Sequence, residues 1–421
     1  MTRSQLRSVV ISTVAFVTVV VLQLLRQRGH HSWDTVWAED GRIYASDAQS
    51  HPALATLFRG YAGYVQFVPR LLALGVRIVS PADIARYLAV ASAVVTALLA
   101  LFVYRATGGW VRSPGLRLLI AATVALAPAA YLEATANIAN LGWPFLLASF
   151  WAIAARGEER FDVISRSVVV GLTALTTTLA ALLVPWSIAF TVHRRRRADK
   201  VVLISLCAAL GVQIIADRFA ASTNTPASSS LGDLPTEFGV RVLASLVVGE
   251  RYLPDLWLHL GAWLVVGAVG VLVVVFVLSL ARVGADQRGF GLGAIALGAV
   301  FFLLPVWLRG TEGMRLSSHH FNPAGSRYVL VPVAMLLSAV AVLVDRTRIR
   351  WVIGVVVAQG VLIIVLSYAL VSPRSDGPFW RAELAVAMKT CQSEVHRRTV
   401  DVPITPGGLG WITTMPCSRL R

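Results

Sequence analysis

Long apolar runs recur along almost the whole chain, separated by short polar segments rich in arginine. Most are long enough, or nearly so, to cross about 30 Å of hydrocarbon. Inside a bilayer the backbone can satisfy its own polar groups only as helices or closed barrels. Runs of this length, rather than short alternating strands, restrict the chain to an all-α polytopic membrane protein. The first run, Val9 to Leu25, is broken only by Ser12, Thr13, Thr18 and Gln23. No clean small-residue cleavage site follows it, so it is expected to remain as an anchor.

The formal net charge of +16 raises the question of nucleic acid. The basic residues lie in short clusters between apolar runs and build no basic face on a soluble domain, so a nucleic-acid partner is not expected. Only Lys200 and Lys389 are lysine among the 38 basic residues. Arginine is the better side chain for a bidentate phosphate contact.

The basic N-terminus, Met1 to Arg7, is expected in the cytoplasm, and the larger share of the net positive charge then falls on the inner segments. About 11 transmembrane helices follow, near 8–25, 83–104, 116–131, 141–155, a hairpin within 163–192 turning at Thr176-Thr177-Thr178, 200–216, 256–280, 290–307, 328–344 and 351–371. Val65 to Val79 is apolar but interrupted by Gln66, Pro69, Arg70 and Arg77, as expected of interfacial helices in the first outer loop. Residues 1–371 form the transmembrane domain. Residues 372–421 form a small extracytoplasmic tail, a disulfide-pinned lid or appendage if Cys391 and Cys417 pair there. Cys207, within an apolar run, is expected to be a core residue. No internal repeat is visible, which weighs against inverted-repeat transporter folds.

The chemistry concentrates at the outer ends of the spans. Trp37-Ala38-Glu39-Asp40-Gly41 sets two acids just after the first span, and carboxylates beside a bilayer are costly unless solvated, paired or working. Asp40 can cap a helix opening at Gly41, which is the plainer reading. A second acid beside it, with Trp33 and Trp37 at headgroup level, favours a general base that takes a proton from an attacking sugar hydroxyl. Glu39 is the alternative base, or orients Asp40 or a cation. Tyr61 and Tyr64, in Arg59-Gly60-Tyr61-Ala62-Gly63-Tyr64, offer rings for a sugar to stack on, or merely anchor an interface helix. Glu133 is a substrate contact or an ordinary loop acid. Gly325-Ser326-Arg327-Tyr328 leads into a late span, placing Arg327 where it can hold a lipid phosphate and Tyr328 at the interface. His319 and His320 diverge as sequence neighbours, which disfavours a metal and leaves His320 as a substrate contact. There is no Walker A loop, dinucleotide fingerprint, Gly-x-Ser-x-Gly or His-Glu-x-x-His.

With these features the chain resembles GT-C-type membrane glycosyltransferases, through the acidic pair after span 1, the interfacial segment behind it, the Gly-Ser-Arg-Tyr entry and the arginine-rich outer face. It is similar to uncharacterised actinobacterial multipass proteins with a Glu-Asp-Gly motif after the first span and a Pro-Cys-Ser motif in the tail, here Pro416-Cys417-Ser418. The resemblance implies inverting transfer of a sugar from a polyprenyl-phosphate donor to a cell-envelope glycan or glycolipid acceptor. Asp40 or Glu39 would be the base, and Arg327, with a first-loop arginine such as Arg70, would hold the donor phosphate. The chain lacks the Trp-Trp-Asp signature of oligosaccharyltransferases and carries Glu-Asp where protein mannosyltransferases carry Asp-Glu. The acceptor and any cofactor, a divalent cation included, stay open. A non-enzymatic flippase or transporter of a glycolipid would want the same arginines and aromatics, but not the carboxylate. In a structural subunit of a wall-assembly complex, the acids would tolerate substitution.

Overall fold

The computed structural model describes residues 3–29, 31–217, 231–310, 316, 321, 324–347 and 349–421. Helices dominate. Among the described residues, seven stretches are long and apolar enough to cross a membrane: Gln5–Leu25, Pro81–Gly109, Pro114–Tyr131, Arg197–Ala216, Ala262–Leu280, Ala285–Arg309 and Arg327–Thr347. The chain is therefore a multi-pass membrane protein in contact with the bilayer. The remaining expected spans are helical too, but shorter: Gly142–Ala154, Arg160–Thr176, Val184–Arg194 and Arg350–Leu366. The expected hairpin within 163–192 does break at Thr177, whose extended backbone ends the helix Arg160–Thr176. The expected span at 256–280 is interrupted. Gly261, at φ +53°, separates Leu253–Leu260 from Ala262–Leu280.

The shortness of Gly142–Ala154 has a packing reason. Every residue from Pro144 to Ala154 is buried, so this helix is the centre of the bundle rather than part of its lipid surface. Around it Phe150 stacks on Trp186 at 5.1 Å, and Trp151 meets Phe290 at 5.3 Å. The Trp151 indole N–H finds the Ser338 hydroxyl at 3.2 Å, as a buried indole requires. Ser338 lies on Arg327–Thr347, which packs along Ala285–Arg309. A Cβ at Gly298 would stand 2.7 Å from Leu336 and 3.3 Å from the Pro332 carbonyl, so glycine sets how closely the two helices approach. Cys207 is exposed on Arg197–Asp217. The expected core position is corrected because the described residues leave that side chain exposed.

The tail joins the first loop instead of standing apart. Trp380–Ser393 is a helix, Thr399–Pro403 and Ile412–Pro416 form an antiparallel pair, and Cys391 and Cys417 are disulfide-bonded with their Cα atoms 5.4 Å apart. The Trp380 indole donates to the Pro81 carbonyl at the start of the second crossing, at 2.8 Å.

Candidate functional site

The acidic pair is shaped by the tail. Thr405 lies alongside Trp37, with Ala38 N–H donating to Thr405 O at 2.7 Å and Thr405 N–H to Val36 O at 3.0 Å. The chain then winds through Asp40–Ala45 as a wide π-type turn, a form that occurs often at functional sites. The Thr413 hydroxyl holds the Gly41 carbonyl at 2.9 Å, and Thr414 N–H holds the Ser46 hydroxyl at 3.1 Å. A Cβ on Gly41 would stand 2.5 Å from Ile404 and 2.9 Å from Val36. Gly41 is thus required by the tail packing across it, and the tail is a clamp on the acidic pair.

The two acids face different ways. Asp40 is 2% exposed. Its carboxylate accepts from Ile138 N–H at 3.0 Å and Ala139 N–H at 2.8 Å. It caps a distant turn, not the helix beginning at Gly41, and it does not line the cavity described next. Burial pushes its carboxyl up to about 7, against the pull of the two N–H groups and the Arg374 charge. Arg374 reinforces the same turn, donating to Thr135 O at 2.8 Å and to the Thr35 hydroxyl at 3.0 Å. The expectation that Asp40 points into the cleft is corrected: the backbone N–H groups of 138–139 claim both of its oxygens.

Glu39 does face a cavity, of about 260 Å³, whose walls include Tyr61, Tyr64, Trp143, Arg327 and Tyr328. Glu39 Oε1 lies 4.0 Å from Arg327 Nη1, and its Oε2 is buried with no hydrogen-bond partner. Glu133 approaches the same guanidinium, with Oε2 3.5 Å from Arg327 Nε, but stands behind the cavity wall. Its Oε1 accepts from Gly325 N–H at 3.3 Å. Asn137 and Asn140 fix the Glu133 backbone, both donating to its carbonyl, at 2.6 and 2.8 Å. Both carboxylate contacts to Arg327 exceed the 2.7–2.9 Å of a charge-assisted hydrogen bond, so an entering anion can compete for the guanidinium.

Aromatic rings close the cavity. Gly60–Tyr61 and Tyr64–Val65 pair as a two-stranded hairpin around Ala62 and Gly63, both at positive φ, with Tyr61 opposite Tyr64. This two-residue turn suits the twist of tight hairpins. The glycine–tyrosine segment is therefore a hairpin and not an interface helix, while Phe67–Ala73 and Leu74–Arg77 supply the expected helical turns behind it. Burial, then the Glu39 charge, pushes the Tyr61 phenol up, and Arg327, Arg42 and Arg309 pull it down. Tyr328 meets Trp143 edge-on at 5.4 Å. Trp143, Arg309, Tyr44 and Thr177 line the cavity and were not expected as site residues from sequence. Only Trp143 and Arg309 carried a signal, as an aromatic and a cation at the ends of apolar runs.

Arg70 is placed elsewhere. It is fully buried and binds Asp47 at 2.9 Å and the Thr56 carbonyl at 3.2 Å. It does not line the cavity. His320 lies outside the described residues. No cluster of three His, Cys, Asp or Glu capable of holding a metal ion occurs among the described residues.

A second cavity, of about 320 Å³, is lined almost wholly by apolar side chains. Arg327–Thr347 begins in the polar cavity and supplies Val329, Leu330, Val333 and Leu337 to the apolar one. A small cavity of about 20 Å³ shares Trp143 with the first and Ala127 and Leu330 with the second. Searches against family models, curated proteins and solved structures find no match to this chain.

Proposed function

We propose that this protein is a membrane glycosyltransferase that moves a sugar from a polyprenyl-phosphate donor to a cell-envelope acceptor, with the site and tail outside the cytoplasm. The observation that carries the reading is the carboxylate of Glu39 beside Arg327 in an aromatic-walled cavity, on a helix that continues along an apolar one. A polyprenyl-phosphate sugar has the same three parts in the same order. The prenyl chain would lie along Val329, Leu330 and Val333, the phosphate at Arg327 and the sugar ring against Tyr61 or Trp143.

In the transfer, the acceptor hydroxyl oxygen attacks the anomeric carbon from the face opposite the phosphate. The carbon–oxygen bond to phosphate breaks, and the phosphate leaves with the electron pair, stabilised by Arg327. The hydroxyl proton passes to Glu39. Configuration at the anomeric carbon inverts. In this reading Glu39 is the base, Glu133 sets the position of Arg327, and Asp40 positions the 133–140 turn.

A carrier of the same lipid would use the same two cavities without needing the carboxylate. Purified protein in vesicles, supplied with a synthetic polyprenyl-phosphate sugar and a glycan or glycolipid acceptor, separates the two. Glycosylated acceptor with inverted linkage is expected. Movement of the intact donor between leaflets without any transfer would contradict the reading.

A further inference from the structure

A third cleft lies apart from both cavities, about 220 Å³ in volume, bordered by Gln49, Ser50, His51, Arg77 and Arg419. Its two arginines come from the first loop and from the last residues of the tail. Arg419 donates to Gln49 Oε1 at 2.9 Å and to the Val79 carbonyl at 2.7 Å. Arg77 donates to the His51 carbonyl. Among the described residues no carboxylate pairs with either guanidinium. By contrast, the neighbouring Arg59 and Arg70 both pair with Asp47. His51 is engaged by its own neighbours, with Arg59 donating to its Nε2 at 2.8 Å and Asp47 Oδ1 3.8 Å from its Nδ1. Two unneutralised cations in one concave site call for an anion.

The surroundings say which kind. Arg77 precedes by four residues Pro81, where the second crossing begins, so the cleft lies at the level where a span meets the headgroups. Ile78, next to Arg77, is 88% exposed, and Leu54, three residues after His51, is 71% exposed. Leu54 and Phe58 share a face of Ala53–Phe58 at i, i+4. Exposed aliphatics flanked by arginines form an interfacial surface, apolar toward the acyl chains and cationic toward the headgroups.

We propose that the cleft between Arg77 and Arg419 binds the headgroup phosphate of an anionic phospholipid in the leaflet on the tail's side, with acyl chains lying along Ile78 and Leu54. Neutralising Arg419 from the membrane would fasten the tail, and through it the clamp on Gly41. This site is independent of the glycosyltransferase reading and stands or falls without it.

The test uses the full-length protein purified in detergent, with native mass spectrometry and thermal unfolding after addition of phosphatidylglycerol or phosphatidylcholine. Wild type should retain phosphatidylglycerol in preference to phosphatidylcholine and unfold at higher temperature with it. Arg77→Glu should weaken that retention about tenfold or more, the scale of a lost charged hydrogen bond. Its unfolding in phosphatidylcholine alone should stay close to wild type, because the one hydrogen bond it loses, to the His51 carbonyl, is exposed to solvent. Arg77→Lys should retain most of the binding. Equal retention of the two lipids by wild type would overturn the proposal whatever the variants do. So would undiminished phosphatidylglycerol binding by Arg77→Glu, or equally tight binding of soluble glycerol phosphate, which has no acyl chain.

Discussion

Arg327 and Arg241 each face carboxylates, half-buried at Arg327 and buried at Arg241, and each cluster adjoins a π-type turn, Asp40–Ala45 beside Glu39 and Gly239–Ala244 beside Glu237. Around Arg241 the acids are occupied. Glu237 Oε2 binds Arg241 Nε at 3.0 Å, while its Oε1 accepts from Leu316 N–H at 3.0 Å. The Ser245 hydroxyl donates to Glu250 at 2.7 Å. Around Arg327 the contacts are longer, and Glu39 and Glu133 each keep a buried oxygen without a hydrogen-bond partner. The same residue types thus do two jobs. A closed ion pair uses its hydrogen-bonding capacity on the fold. An open one keeps it for whatever enters the cavity.

The largest expected difference is in stability. Arg241→Met leaves Glu237 buried without its cation, which costs about 3–5 kcal/mol. Arg327→Met should cost under about 1 kcal/mol, because its carboxylates are partly solvated and their contacts loose. Thermal unfolding in one detergent checks both, and equal losses would erase the distinction between the clusters. Donor affinity should reverse the order. Arg327→Ala is expected to lose about 1.5–3 kcal/mol in binding a polyprenyl phosphate, and Arg327→Lys to recover only part, since a point charge does not reproduce a planar fork. Calorimetric titration reads this, with a closed-cluster variant as control.

Asp40 belongs with the closed type despite its place beside Glu39. Asp40→Asn can accept only one of the two N–H groups that the carboxylate holds, so a loss of about 1–3 kcal/mol in stability is expected. A smaller effect concerns pH. Burial raises Asp40 and Glu237 to about 7 from ordinary values near 4. The folded state then binds more protons than the unfolded state in that window. The stability these groups contribute is complete below about pH 4 and is lost as pH rises through 7. Unfolding midpoints measured across that range should fall, and Asp40→Asn should flatten part of the slope. A flat profile for wild type would refute the assignment.

How much of this was legible in the sequence varies with the range of the interaction. The apolar runs locate the helices correctly, because burial in lipid leaves a local signature. Their apolarity does not tell a crossing from a core element: Gly142–Ala154 is more apolar than most of the spans, yet it is buried in protein. The cysteine pair was readable from its place in the tail. The clamp was not, since Thr405 and Thr413 meet Val36 and Gly41 across more than 360 residues of chain. For the same reason the sequence could not rank Glu39 against Asp40. Neighbours on a helical turn point about 100° apart. Which one faces the cavity is decided by the N–H groups of Ile138 and Ala139, far along the chain.

The central claim is that Glu39, not Asp40, removes the proton. It is tested most directly by single-turnover sugar transfer from a synthetic polyprenyl-phosphate donor, with donor affinity measured on the same preparations of wild type, Glu39→Gln and Asp40→Asn. Glu39→Gln should bind donor as wild type does and transfer about 10²–10⁴-fold more slowly. Asp40→Asn, assayed per folded molecule, should be far less impaired. A Glu39→Gln variant that transfers at the wild-type rate, or an Asp40→Asn variant that alone abolishes transfer while remaining folded, would contradict the account.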